Sequence, residues 1–195
     1  MDKILAWHFS NGTLRNDPDT KLVPGLRLTV DPERLELCEY GLHASMRLLD
    51  ALYYAPGSVL SRVELSGRII ENTDKLVASE RLHLSVANIE RTLHEFAIWC
   101  AEQALALVDT PDPRSTEALR IKRLWLDGTA TDNELDAAGA AARAAARAAA
   151  WDAVRDAARA AARDAAWAAA WAAARDAAKK KQEKRLVKMI KEAMK

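Results

Sequence analysis

Four histidines, His8, His43, His83 and His94, are the residues of this 195-residue sequence best suited to move protons near neutral pH. His43 lies in Leu37-Cys38-Glu39-Tyr40-Gly41-Leu42-His43-Ala44-Ser45, just after a glycine turn and two residues before a hydroxyl. An imidazole so placed either binds a ligand, with Ser45 beside it, or satisfies a backbone carbonyl. His8 sits in the apolar run Ile4 to Phe9 and reads as a pocket-facing group or a hydrogen-bonded core residue. His83 and His94 have no partner at metal-ligand spacing and read as structural. Cys38 has no Lys, Arg or His beside it in sequence to activate its thiol, and reads as a small core residue. The sequence holds no phosphate loop, zinc knuckle or nucleophile elbow, so neither a metal site nor a resident cofactor is expected.

The elements that must position these groups can be read from periodicity and turn signals. Ile4 to Phe9 reads as a strand ending at Asn11-Gly12, and Leu26 to Val30 as a strand after the Pro24-Gly25 turn. Leu35 to Cys38 reads as a third short strand, stopped by Gly41. Ser45 is placed to N-cap a short helix through Ala55. Val59 to Leu65 alternates as a strand, broken at Gly67 and resumed at Ile69-Ile70. After an Asn72-Thr73-Asp74 turn, Leu76 to Leu84 reads as strand again. From Asn88 the period turns helical until Pro111 and Pro113, and Ser115 to Leu126 is a second amphipathic helix with Gly128 just past its end. Thr131 with Glu134 makes a capping box for a third.

That third helix dominates the chain. From Asp136 to Ala178 the sequence is mostly alanine, with a large residue at every fourth position: Arg143, Arg147, Trp151, Arg155, Arg159, Arg163, Trp167, Trp171, Arg175 and Lys179. Alanine is the best helix former. A step of four overshoots one helical turn by about 40°, so the Arg/Trp row winds once around the helix over its length. Residues four apart are neighbours, so guanidinium and indole groups can stack along the row. Arg147, Trp151, Arg155, Arg163, Trp167, Trp171 and Arg175 are the candidate interaction residues. Unbroken from residue 132 onward, the helix would run about 95 Å. Lys179 to Lys195 adds a narrow apolar stripe, Leu186, Met189, Ile190 and Met194, among basic residues; it reads first as a helix that docks on an acidic protein surface, and otherwise as a nucleic-acid contact or a membrane-surface helix.

The net charge of +1 hides an asymmetry. Residues 136–195 hold 14 Lys/Arg and 7 Asp/Glu, a net of +7, whereas residues 1–135 hold 15 and 21, a net of −6. An acidic head with a basic helix favours attraction between copies, or an anionic partner for the helix. Two cysteines are too few for a disulfide scaffold, which fits a reduced, cytoplasmic setting. Met1 to Phe9 is too short and polar for a signal peptide, and no apolar run suits a membrane span. The expected fold class is α+β: a small mixed β-sheet head with covering helices (1–130), an Ala/Arg/Trp tetrapeptide-repeat helix (131–178) and a basic amphipathic helix (179–195).

The Gly41-Leu42-His43-Ala44-Ser45 core, with Leu5-Ala6-Trp7-His8-Phe9 before it and Val63-Glu64-Leu65-Ser66-Gly67 and Asp74-Lys75-Leu76-Val77-Ala78 after it, resembles a domain family common in phages and actinobacterial genomes. The likeness covers roughly residues 1–110. The alanine-rich tail resembles tails of proteins described as immunity proteins. A fainter likeness links the order of strand histidine, Gly-x-His-x-Ser, short helix and Val-Glu-Leu strand to small ADP-ribosyltransferases. That likeness implies a nicotinamide dinucleotide (NAD) or a related nucleotide at His8, with His43 and Ser45 nearby. It makes Tyr53 or Tyr54 a stacking residue and Asp74 an assisting acid. The resulting expectation is a non-enzymatic binding or inhibitor protein of phage or prophage origin. It would act in the host cytoplasm on a bacterial defence component, and assemble or capture its partner through the helix. An ADP-ribosyltransferase-like enzyme or nucleotide-sequestering protein, with His8, His43 and Asp74 as catalytic candidates, is the alternative. A nucleic-acid binder acting through the basic helix is the second.

Overall fold

In a computed structural model, the structure describes the backbone of residues 3–160 and 165–194, and the side chains of residues 3–147 and 174–194. The chain is α+β, as its periodicities imply. Strand β1 (Ile4–Ser10) is followed by a small hairpin of β2 (Thr13–Leu14) and β3 (Asp17–Lys21), then β4 (Arg27–Thr29) and β5 (Leu42–Ala44). Helix α1 (Leu48–Tyr53) precedes the two long strands β6 (Val59–Glu71) and β7 (Leu76–Asn88). Helices α2 (Glu90–Leu105), α3 (Pro113–Leu126), α4 (Asp132–Ala160) and α5 (Ala165–Ala193) complete the chain. The expected unbroken helix from residue 132 crosses 161–164, which lie outside the described residues.

The main sheet runs β1-β6-β7-β4, with β5 also pairing with β7. A mixed sheet was expected, but every described pairing is antiparallel. The longest pairing is local: the Asn72-Thr73-Asp74 turn joins β6 to β7 as an antiparallel hairpin. Two register shifts shape this hairpin, between Arg62 and Val63 and between Ser66 and Ile69. At the first, Arg62 faces Ser85 and Val63 faces His83, so Leu84 bulges out of the ladder. At the second stands Gly67, with φ +75°, where an added Cβ would lie 2.1 Å from Ser79 Oγ. The sheet's inner face carries a core of Ala6, Ala44, Val63, Leu65, Leu76 and Ala78, with Ile4 and Ile69 packed on it.

The chain forms two compact units. The first joins Met1–Leu93 with Gln182–Lys195, so the end of α5 belongs to the head. There Leu186, Met189 and Ile190 are buried, as their apolar stripe requires. Glu183 reaches α1: its two carboxylate oxygens accept from Leu48 N at 2.9 Å and Leu49 N at 2.8 Å. Ser45 had been the expected cap. Instead Arg47 occupies the cap position without a side-chain bond, and Ser45 pairs through its backbone with Trp7 (2.8 and 2.9 Å). The orphan amides of α1 are satisfied from 135 residues away.

The second unit spans His94–Lys181. Here α3 packs on α4. Asp112 caps α3 with Pro113 in its first turn, so the proline that ends one helical period opens the next helix. Gly128 follows α3 with φ +72°. Thr131 and Glu134 close the capping box of α4 in both directions: Thr131 N donates to Glu134 Oε2 at 2.8 Å, and Glu134 N donates to Thr131 Oγ1 at 3.2 Å. Trp125 ties the two helices, donating to Asp132 Oδ1 at 2.7 Å. No described helix is long and apolar enough to cross a membrane.

Candidate functional site

Of the candidate residues of the head, His8 lies on the inner sheet face and His43 on β5 beside the loop that carries Cys38, whereas Tyr53, Tyr54 and Asp74 lie apart from them at the surface. Paired residues on adjacent strands share a face. His8 faces Ser61 across β1 and β6, Ala6 faces Val63, and Ile4 faces Leu65. Val63 and Leu65 face His83 and Arg81 on β7. His8, Ser61, His83 and Arg81 therefore share the face that carries the core. Arg81 is 5 % exposed; His83 and Ser61 are 0 % exposed.

Arg81 organises this group. Its Nη1 donates to His43 O at 2.8 Å and lies 3.3 Å from His8 Nδ1. A guanidinium can only donate, so His8 Nδ1 accepts and its proton sits on Nε2. The His8 and His83 rings meet edge to face, 6.1 Å between centroids. Burial, then the Arg81 charge, hold His8 well below the usual imidazole range. The same causes bring His83 down to about 4, and burial alone brings Arg81 down to about 10. At neutral pH the two rings are uncharged and Arg81 is a cation.

His43 fastens the loop above. Cys38 N donates to His43 Nε2 at 3.0 Å, so the proton is on Nδ1, which faces Gly41 O at 3.2 Å. The five-residue loop closes only because Cys38 takes φ +70° and Gly41 φ +133°. Leu35 to Cys38 was expected as a strand. It forms a turn with one Glu36–Tyr40 bridge, and the strand is β5, on the far side of Gly41. Cys38 is exposed rather than part of the core. Burial lowers the His43 pKa, and the Lys75 and Arg81 charges add to it, against the Gly41 hydrogen bond.

Asp74 and Tyr54 meet at the surface: Tyr54 Oη donates to Asp74 Oδ2 at 2.5 Å, with Lys75 Nζ 4.6 Å from the ring centroid. The Asp74 hydrogen bond raises the Tyr54 pKa. Tyr53 is 83 % exposed and meets only the edge of Tyr54, at 5.1 Å. Ser45 is buried in its backbone pairing with Trp7. So Tyr54 and Asp74 come together, as do His8 and the His43 backbone, each pair through its own contacts.

Sequence reasoning passed over Arg81 and Ser61 and gave His83 no role. The available signal was the alternation Arg81-x-His83 within a strand that also carries Leu76, Val77, Ala78, Leu82 and Leu84. Along the helix, Arg147 Nε donates to Arg143 O at 3.3 Å, and both residues are exposed, as is Arg175. The side chains of Trp151, Arg155, Arg163, Trp167 and Trp171 lie outside the described residues. Among the described residues no cluster of His, Cys, Asp or Glu could hold a metal ion. No protein-family model, curated protein or solved structure matches the chain.

Proposed function

We propose that this protein works as a non-enzymatic binding or inhibitor protein. Its α+β head would carry a long basic helix that captures a partner or further copies of the chain. The observation that supports this most is the engagement of His43, His8 and Asp74, the candidate catalytic groups, by other groups of the head. A general base needs a lone pair facing its substrate. The His43 lone pair is taken by Cys38 N, that of His8 Nδ1 by Arg81, and the Asp74 carboxylate holds Tyr54. These groups fasten a loop and a sheet. The helix carries its Arg and Trp residues in a row, and those side chains suit contacts with acidic or aromatic partner surfaces. The family resemblance supports a phage or prophage setting, with a bacterial defence component as partner in the host cytoplasm.

Light scattering on the full chain tests the reading, with Trp151, Trp167 and Trp171 each replaced by alanine as the comparison. The expected result is a mass above one copy that falls in the triple variant while the far-ultraviolet spectrum is kept. Turnover of NAD by the wild type, lost in His8→Ala, would overturn the reading in favour of an ADP-ribosyltransferase-like enzyme. Binding to nucleic acid that falls steeply between about 50 and 200 mM salt would favour the nucleic-acid reading.

A further inference from the structure

The inner sheet face holds more polar machinery than the loop fastening uses. Ser61 Oγ, Arg81 Nε and both ring nitrogens of His83 are buried without a hydrogen-bond partner. They stand on one face of three neighbouring strands, with His8 opposite Ser61 and within 3.3 Å of Arg81. Among the described residues, no carboxylate pairs with Arg81. A buried guanidinium is normally answered by an anion, and orphan polar atoms are rare in a finished core. Three of them beside an unanswered cation that carries a fourth call for a further component.

We propose that Arg81, His83, Ser61 and His8 form a binding site for a small oxyanion of the phosphate type. The donor inventory fits. Arg81 offers Nε–H, Ser61 a hydroxyl hydrogen, and neutral His83 one N–H. His8, held by Arg81 and by the His43 carbonyl, lines the site. An oxyanion accepts from Arg81, Ser61 and His83 and answers the Arg81 charge with charge-assisted bonds. Internal water would satisfy the polar atoms but leave the charge unanswered. Free phosphate and the phosphate of a nucleoside diphosphate present the same oxygens to such a site.

The test is to record the imidazole nitrogen and Arg81 Nε resonances of the full-length chain during titration. Sodium phosphate, pyrophosphate and adenosine diphosphate are added at matched ionic strength, with sodium chloride as reference. Saturable shifts at His83 and Arg81 are expected, with affinity weakened at least about tenfold in Ser61→Ala and in the charge-conserving Arg81→Lys. Equal affinity for all three ligands would identify the free ion as occupant. Adenosine diphosphate binding about tenfold more tightly would identify a nucleoside phosphate. Wild-type resonances that move no further than in sodium chloride would overturn the site and assign the cluster to internal water. So would wild-type affinity retained in both variants. The wild-type titration needs no altered chain, so a variant that fails to fold leaves the answer intact.

Discussion

Replacing Glu183 with alanine removes a side-chain cap of α1. The carboxylate holds two adjacent amides, Leu48 N and Leu49 N, and Leu48 is fully buried. Losing an N-cap costs about 0.5–2 kcal/mol, and a buried amide left without a partner about 1–3 kcal/mol. These overlap, since both describe the same unmet donors, so about 2–3 kcal/mol is expected for Glu183→Ala. Glutamine keeps one acceptor oxygen but loses the charge, so Glu183→Gln is expected to cost about 1 kcal/mol. For a chain of this size each kcal/mol moves the melting temperature by about 2–4 °C, which gives a fall of about 4–12 °C for alanine. Circular-dichroism melts measure this, and Glu192→Ala on the exposed side of the same helix is the charge-matched control. Hydrogen exchange adds a local readout: the Leu48 and Leu49 amides should lose protection before the rest of the sheet. If Glu183→Ala melts with Glu192→Ala, and the two amides stay protected, α1 does not depend on this contact and the reasoning fails.

Other outcomes follow from the same geometry. Leu186→Ala should cost about 2–5 kcal/mol in urea unfolding, because the side chain is fully buried in the head, and a chain ending at Lys181 should lose the head's cooperative transition. Gly41→Ala should cost about 2–5 kcal/mol, because φ is +133° and the new Cβ would lie 2.2 Å from Val77 Cγ2; an unchanged melt would contradict the loop geometry. Stability should also fall with acid. His8, His43 and His83 all have folded pKa values below their usual one, so the unfolded chain takes up protons first. Their contribution is complete above about pH 6.5 and is lost as the pH drops below it. His83, at about 4, accounts for about 3 kcal/mol of that loss, and urea midpoints of His83→Gln should fall less steeply between pH 6.5 and 4.

What the sequence made legible was what neighbours in the chain decide. Thr131 and Glu134 cap α4, Gly128 ends α3, and Asn72-Thr73-Asp74 turns the long hairpin, all through contacts within a few residues. The same logic failed where the partner is remote. Ser45 looked like a cap because it precedes an apolar helix, but Glu183 supplies the cap and Ser45 belongs to a bridge with Trp7. Leu35 to Cys38 looked like a strand by composition, yet the His43 ring draws Cys38 into a left-handed turn and moves the strand past Gly41. The site was half visible. His8 and His43 stood out by type, whereas Ser61 acquires meaning only from a register that pairs it with His8, and Arg81 from one that sets it opposite Leu65 on the same face.

The return of residues 182–195 to the head also sets an order of events during synthesis. At about 5–20 residues per second, Glu183 and the Leu186–Ile190 stripe are made on the order of ten seconds after Leu93. Through that interval the sheet, with the amides of α1 unmet, waits for its last piece while the alanine-rich stretch is being added. The same contacts then act as a proofreading step. A chain interrupted anywhere in the alanine repeats carries every strand of the head and still lacks the carboxylate and the apolar side chains that complete it. Such a product would expose its unfinished head to proteases.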